Sequence, residues 1–296
     1  MLKTSGGSQV RSAVRRFCRA AFLSSVLAIA VAPALSNAAE IGTQTLRNVA
    51  GIVAHEGSRT VQVGTAFFIA VPSQSAPGRS FVYLVTTHHN LLDENGHARY
   101  GLRLSVEDKR TGAMREEELP PESKWILDPR NAKADVAAVP FSPENASIAP
   151  IALSSVMGAD DPYARPETGA QLYYLTAATV GVTNKRFEAL ARFGHVSVPL
   201  PAETEVIGAG VQELALLDGG TAPGFSSGAP VFVSAGLRFA LWGMIEANSA
   251  ASSDPLFSGL AGVLPARVIV ETVRTMASIQ DKALGGPAPA TPPTSH

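Results

Sequence analysis

From Val61 onward, short apolar runs alternate with clusters of turn-forming residues. Val61 to Val71 is the first long run, with Gly64 inside it and Pro72 closing it. Phe81 to Thr87, Leu102 to Val106, Val136 to Phe141, Ala170 to Thr176, Arg192 to Leu200, Val231 to Val233 and Phe239 to Ile245 continue the pattern. These runs favour β-branched and aromatic residues, which fit a pleated, half-buried surface, and so predict strands. Lys109-Arg110-Thr111-Gly112 predicts a hairpin turn in which Gly112 takes a positive φ. The spacing suits antiparallel sandwiches or barrels rather than alternating strand–helix units. Pro265 to Lys282 differs, with Val268, Ile269, Val273, Met276 and Ile279 near helical spacing. Pro265 fits a first-turn position and Gly285 lies beyond the end, so a C-terminal helix packed on the sheet core is expected. Residues 283–296 are Pro-rich and polar and are expected to be disordered. There is no internal sequence repeat.

The start of the chain has another pattern. Lys3, Arg11, Arg15, Arg16 and Arg19 precede an apolar stretch from Ala20 to Leu35, followed by the small residues Ser36-Asn37-Ala38-Ala39, with no acid before Glu40. Basic, apolar, then small is the order of a secretory signal peptide, so residues 1–39 are expected to be removed near Ala38 or Ala39. The apolar stretch contains Pro33 and is shorter than the roughly 20 residues a membrane span needs, so no stable span is expected after cleavage. The periplasm or the extracellular space is the expected location.

Composition then excludes several classes. The 296 residues carry 24 Lys+Arg against 25 Asp+Glu, are 46% hydrophobic and include one Cys. Without the leader's five basic residues the balance turns acidic, which argues against nucleic-acid binding through phosphate contacts. Cys18 leaves with the leader, so no thiol nucleophile, thiolate metal site or disulfide framework is expected. No nucleotide loop, dinucleotide fingerprint or cation loop occurs, and no cofactor or metal is expected.

Three segments could carry chemistry. Tyr83-Leu84-Val85-Thr86-Thr87-His88-His89 is a strand ending in two histidines, preceded by Gly64-Thr65-Ala66-Phe67. Ala134-Asp135-Val136-Ala137-Ala138 opens an apolar strand with a carboxylate, which needs donors once buried. Gly219 to Phe232 sets Ser226 and Ser227 in a Gly/Pro loop before a strand, where small neighbours let backbone N–H groups approach a ligand. Taken singly, each fits a structural histidine, a capping aspartate and an ordinary Ser/Gly loop.

Together, in the order His, Asp, Ser, they resemble the trypsin-like (chymotrypsin-fold) serine peptidases, in particular the disulfide-free bacterial members. The matching segments are Gly64 to Phe67, Val85 to His89, Asp135 to Ala138, and Ser227-Gly228-Ala229-Pro230-Val231. The resemblance spans about residues 45 to 282. It implies an all-β fold of two antiparallel six-stranded barrels, residues 40–150 and 151–264, with a C-terminal helix over 265–282 and the site between the barrels. It implies His89 as general base, Asp135 as its partner and Ser227 as nucleophile, with Ser226 the alternative nucleophile. The backbone N–H groups of Phe225 and Ser227 would form the oxyanion hole. A protein or peptide substrate follows; oligomeric state is not indicated.

The chain departs from the family pattern at Phe225, where Gly is usual. This keeps open a second reading, a binding module on the same fold. Thr221, six residues before Ser227, falls on the first specificity pocket and is uncharged, which argues against Lys/Arg preference. Glu246 is either a pocket acid near His89 or a solvated charge at a strand end, and the second is preferred.

Overall fold

The computed structural model describes residues 43–128, 134–157, 166–178, 187–206, 210–219, 225–235, 238–248 and 260–284. The leader, residues 285–296 of the expected tail, and Thr221 lie outside these. The chain divides after Glu40, and everything described here belongs to the second unit, Ile41–His296.

The first half is built on β1 (Val49–Glu56), β2 (Arg59–Pro72), β3 (Ser80–Thr86), β4 (Arg103–Glu107), β5 (Met114–Glu118), β6 (Ile126–Leu127), β7 (Ala137–Pro140) and β8 (Ile151–Ala152). They form an eight-stranded sheet in the order β5-β4-β1-β2-β3-β7-β6, with β8 alongside β2. The expected closed six-stranded barrel is not what forms: no pairing closes this sheet among the described residues. Its end strands account for that. β6 has two residues, too few for a ladder on each side. β5 reads Met-Arg-Glu-Glu-Glu, a charged edge whose Arg115 pairs with Glu117 at 2.9 Å. The expected hairpin joins β4 to β5, with Gly112 at φ 67°. Asp108 closes it by accepting the N–H groups of Arg110 and Thr111.

The second half is the closed six-stranded barrel the sequence suggests, formed by β9 (Gln171–Ala178), β10 (Glu188–Val206), β11 (Gly210–Asp218), β12 (Pro230–Ala235), β13 (Arg238–Asn248) and β14 (Leu260–Pro265). Its strands run β10-β11-β14-β13-β12-β9. The C-terminal helix, Ala266–Ala283, starts directly after Pro265, which stands at the N-cap.

Each half has its own apolar centre, Ile52, Phe68, Leu84 and Leu104 in the first and Leu172, Tyr174, Leu217 and Val231 in the barrel. A third cluster joins them: Phe67, Ile69 and Val85 of the sheet, Tyr173, Phe232 and Met244 of the barrel, and Ile269, Val273 and Met276 of the helix. Each such side chain, fully buried, contributes about 1.5–3 kcal/mol. Ile279, counted in the helical stripe, is 52% exposed instead. The helix is also clasped to the sheet. Asp281 accepts hydroxyl hydrogen bonds from Ser73 and Ser75, both at 2.7 Å, and the Gln74 N–H at 3.0 Å. The Tyr83 hydroxyl donates to Gln280 Oε1. No described helix is long and apolar enough to cross a membrane.

Candidate active site

β3 stops at Thr86, so the two histidines stand not on a strand end but on a 3-10 turn, His88–Leu91. The turn separates them. His88 faces Glu122, 3.5 Å away, and His89 faces Asp135. Asp135 lies just before β7 and is 6% exposed, so its charge needs donors. One residue supplies two: the His89 N–H donates to Oδ1 at 2.8 Å, and its ring Nδ1 donates to Oδ2. An ionised Asp135 requires the proton on Nδ1, which leaves Nε2 an acceptor. The His89 side chain is 46% exposed, so that nitrogen is open to a ligand. Desolvation disfavours the charged ring, but the hydrogen bond and charge of Asp135, with the charge of Glu246, outweigh it and raise the His89 pKa.

The serine loop is fixed from both halves. On the barrel side the Gly228 N–H donates to the Ile245 carbonyl at 2.8 Å, and the Ile245 N–H to the Ala229 carbonyl at 2.9 Å. On the sheet side the Ser227 carbonyl accepts the Thr65 N–H at 2.8 Å and the Asn90 side-chain amide at 3.1 Å. The Thr65 hydroxyl donates to the Phe225 carbonyl at 2.6 Å. Two glycines make these approaches possible. A Cβ on Gly228, at φ +83°, would stand 2.0 Å from the Thr65 carbonyl oxygen, and one on Gly64 would stand 2.1 Å from the Asn90 amide nitrogen. The Gly-Thr and Ser-Gly segments are thus two sides of one contact.

Ser226 and Ser227 differ in access. Ser226 is 2% exposed, whereas Ser227 is half-buried. The Ser227 hydroxyl donates to the Glu246 carbonyl at 3.4 Å, and no hydrogen bond joins it to His89 among the described residues. The Phe225 N–H belongs to the peptide shared with Gly224, which lies outside them.

Glu246 is not the solvated strand-end charge that the sequence favoured. It is 1% exposed, and it sits where the β13–β14 register slips between Ile245 and Ala247. A bulge re-aims the side chain it carries. Burial first, and then the charge of Asp135, push its pKa up to about 8, against a smaller opposing effect of His89.

Sequence reasoning passed over Asn90 and Thr65 as site residues. Asn90 is 2% exposed and bonds both the Thr86 hydroxyl and the Ser227 carbonyl. A polar residue directly after His89 and a Thr directly after Gly64 were the available signals.

Together these residues form a histidine held by a buried carboxylate, and a serine loop hydrogen-bonded to both halves through Thr65, Asn90 and Ile245. No protein-family model and no curated protein matches the chain. Solved structures similar to it include Deg5 (20% identity, TM-score 0.48, covering 79% of this chain and 90% of that one). An inactive serine-to-alanine mutant of Rv3671c from M. tuberculosis is similar at 15% identity and TM-score 0.49, over 84% of this chain and 95% of that one. A thermostable serine protease, AL20, from an extremophilic microorganism is similar at 10% identity and TM-score 0.46, over 78% and 97%. At these identities and scores no residue role passes from them to this chain.

Proposed function

We propose that this chain is an exported serine endopeptidase of trypsin-like fold, acting through His89, Asp135 and Ser227. The observation that carries the reading is the pair of hydrogen bonds that His89 donates to Asp135, from its backbone N–H and from its ring. That grip fixes the imidazole in the tautomer a general base needs. In the reaction Ser227 Oγ attacks the scissile carbonyl, and its proton passes to His89 Nε2. The resulting imidazolium is stabilised by Asp135 and returns the proton to the leaving amine. Water then repeats the sequence on the acyl-enzyme. The Ser227 N–H, which has no partner among the described residues, and the Phe225 N–H would hold the developing oxyanion. In this reading Thr221 lines the first specificity pocket and disfavours cationic side chains, and residues 1–39 direct export.

A specific observation favours a second reading, a binding module without turnover. The Ser227 hydroxyl donates to the Glu246 carbonyl rather than to His89, so the resting hydroxyl is turned from its base. Fluorophosphonate labelling of the purified protein, mapped by peptide mass spectrometry, separates the two. The peptidase reading expects stoichiometric modification of Ser227, abolished in Ser227→Ala and kept in Ser226→Ala. A folded protein that takes no label favours the binding module.

A further inference from the structure

Glu246 is the buried acid that the reaction as written leaves unused. Its strand lies directly under Ser227, whose hydroxyl bonds the Glu246 main-chain carbonyl. Neither side-chain oxygen has a hydrogen-bond partner among the described residues, in a side chain 1% exposed. Elsewhere in the site the buried carboxylate is fully engaged, as Asp135 is by His89. An unpaired buried carboxylate is costly, so a residue whose only role is packing would be apolar here. The groups around it are few. Asp135 and His89 are the charges that act on it. From β14 it meets Gly262, whose missing Cβ would lie 3.6 Å from Oε2, with the Leu214 side chain of β11 against the same glycine. Among the described residues, His89 is the cation that acts on it.

We propose that Glu246 is a positioning residue that acts through His89: a second buried carboxyl, under the Ser227 hydroxyl, whose ionisation makes His89 a stronger base. The proposal rests on the peptidase reading of the same site. Burial first, and then the charge of Asp135, keep the proton on Glu246 at neutral pH. Loss of that proton adds a second negative charge that acts on the ring. The imidazolium that forms as Ser227 attacks is then stabilised by two carboxylates instead of one. The rate of hydrolysis accordingly rises twice with pH, first as His89 loses its proton and again near pH 8 as Glu246 ionises.

The test reads the ring directly. The NMR resonances of the His89 imidazole are followed from pH 5 to 10 in the wild-type protein, in Glu246→Gln and in Glu246→Asp. Wild type should show its main titration and a second inflection near pH 8. Glu246→Gln, nearly isosteric and uncharged throughout, should lose the second inflection and leave a single titration. Glu246→Asp, which restores the carboxyl, should bring the second inflection back. A wild-type ring with one inflection, or a Gln variant that titrates as wild type does, overturns the proposal even where a variant folds poorly, because the first reading needs no variant. The two readings fail separately. A protein that never labels at Ser227 yet shows the second inflection keeps the coupling and loses the peptidase. A protein that labels, with a single inflection unchanged by Gln, keeps the peptidase and loses the coupling.

Discussion

Gly228→Ala attacks the seam on which the site depends. At φ +83° an alanine in place of Gly228 adopts a left-handed conformation, at about 1–2 kcal/mol. The added Cβ would also stand 2.0 Å from the Thr65 carbonyl oxygen and 2.6 Å from the Thr86 hydroxyl. The nearer atom is backbone in the middle of β2 and cannot swing aside. The loop must lift instead. Two buried hydrogen bonds lie on the same atoms: Thr86 hydroxyl to Thr65 carbonyl at 2.8 Å, and Thr65 N–H to Ser227 carbonyl at 2.8 Å. Each group left without its partner costs about 1–3 kcal/mol. The total is about 3–8 kcal/mol, set against a whole-protein stability of about 5–15 kcal/mol. Thermal unfolding followed by circular dichroism should show a midpoint lower by roughly 6 °C at least. Gly64→Ala is the control. Its Cβ meets the flexible end of Asn90, so the amide turns away, the backbone stays and the loss is smaller, about 1–3 kcal/mol. A Gly228→Ala protein within about 1 kcal/mol of wild type would refute the seating of the serine loop on β2.

Other consequences follow from single groups. Asp135→Asn removes the acceptor that raises the His89 pKa, so the ring should titrate at lower pH by NMR, and hydrolysis should slow by about three to four orders of magnitude. Glu246 binds its proton up to about pH 8 when folded and to its ordinary 4.5 when unfolded. The stability this represents, on the order of 5 kcal/mol, is complete below about pH 4.5 and lost as pH rises through about 8. His89, also raised, has the same sign. The midpoint should therefore fall between pH 5 and 9, and fall less in Glu246→Gln; equal slopes in the two proteins would contradict this. Asp281 has the opposite sign, its pKa held well below the carboxylate range by the Ser73 and Ser75 hydroxyls. Its contribution is present above about pH 3.8 and lost on acidification, so Asp281→Asn should lower the neutral-pH midpoint and flatten the acid limb.

The elements legible in the sequence were those whose side chains face a core. β2, β3, β9 and β13 are apolar enough to stand out, and the helix announces itself by its spacing. β5 is held by its ladder and by surface charges, so no apolar pattern marks it. β6 and β8, of two residues each, exist only through their neighbours. The openness of the first sheet belongs to this same class, because closure depends on what the end strands can pair with. At the site, His89, Asp135 and Ser227 were singled out by their order and the resemblance it carries; the structure joins His89 to Asp135, and the Ser227 hydroxyl bonds the Glu246 carbonyl. Glu246 was misread for a definite reason. A charge after Leu241 to Ile245 looks like the end of a strand, and only the bulge turns it inward. Asn90 was hidden by its dependence on Gly64, a contact across 26 positions that no local pattern records.

The clasp between the C-terminal helix and the β2–β3 corner has a bearing on the order of assembly. Ser73 and Asp281 are 208 residues apart in sequence, and Tyr83 and Gln280 are 197 apart. Contacts of that span give a high contact order, and they form only after the intervening chain has been organised. A polypeptide is made from its N-terminus, so the first sheet is complete in sequence long before the residues that fasten its corner exist. The part of the protein that is synthesised first is in this way the last to be locked. Until the helix arrives, Val71, Tyr83 and their neighbours present an uncovered apolar face, and the nascent chain has its greatest need of protection from aggregation at that stage.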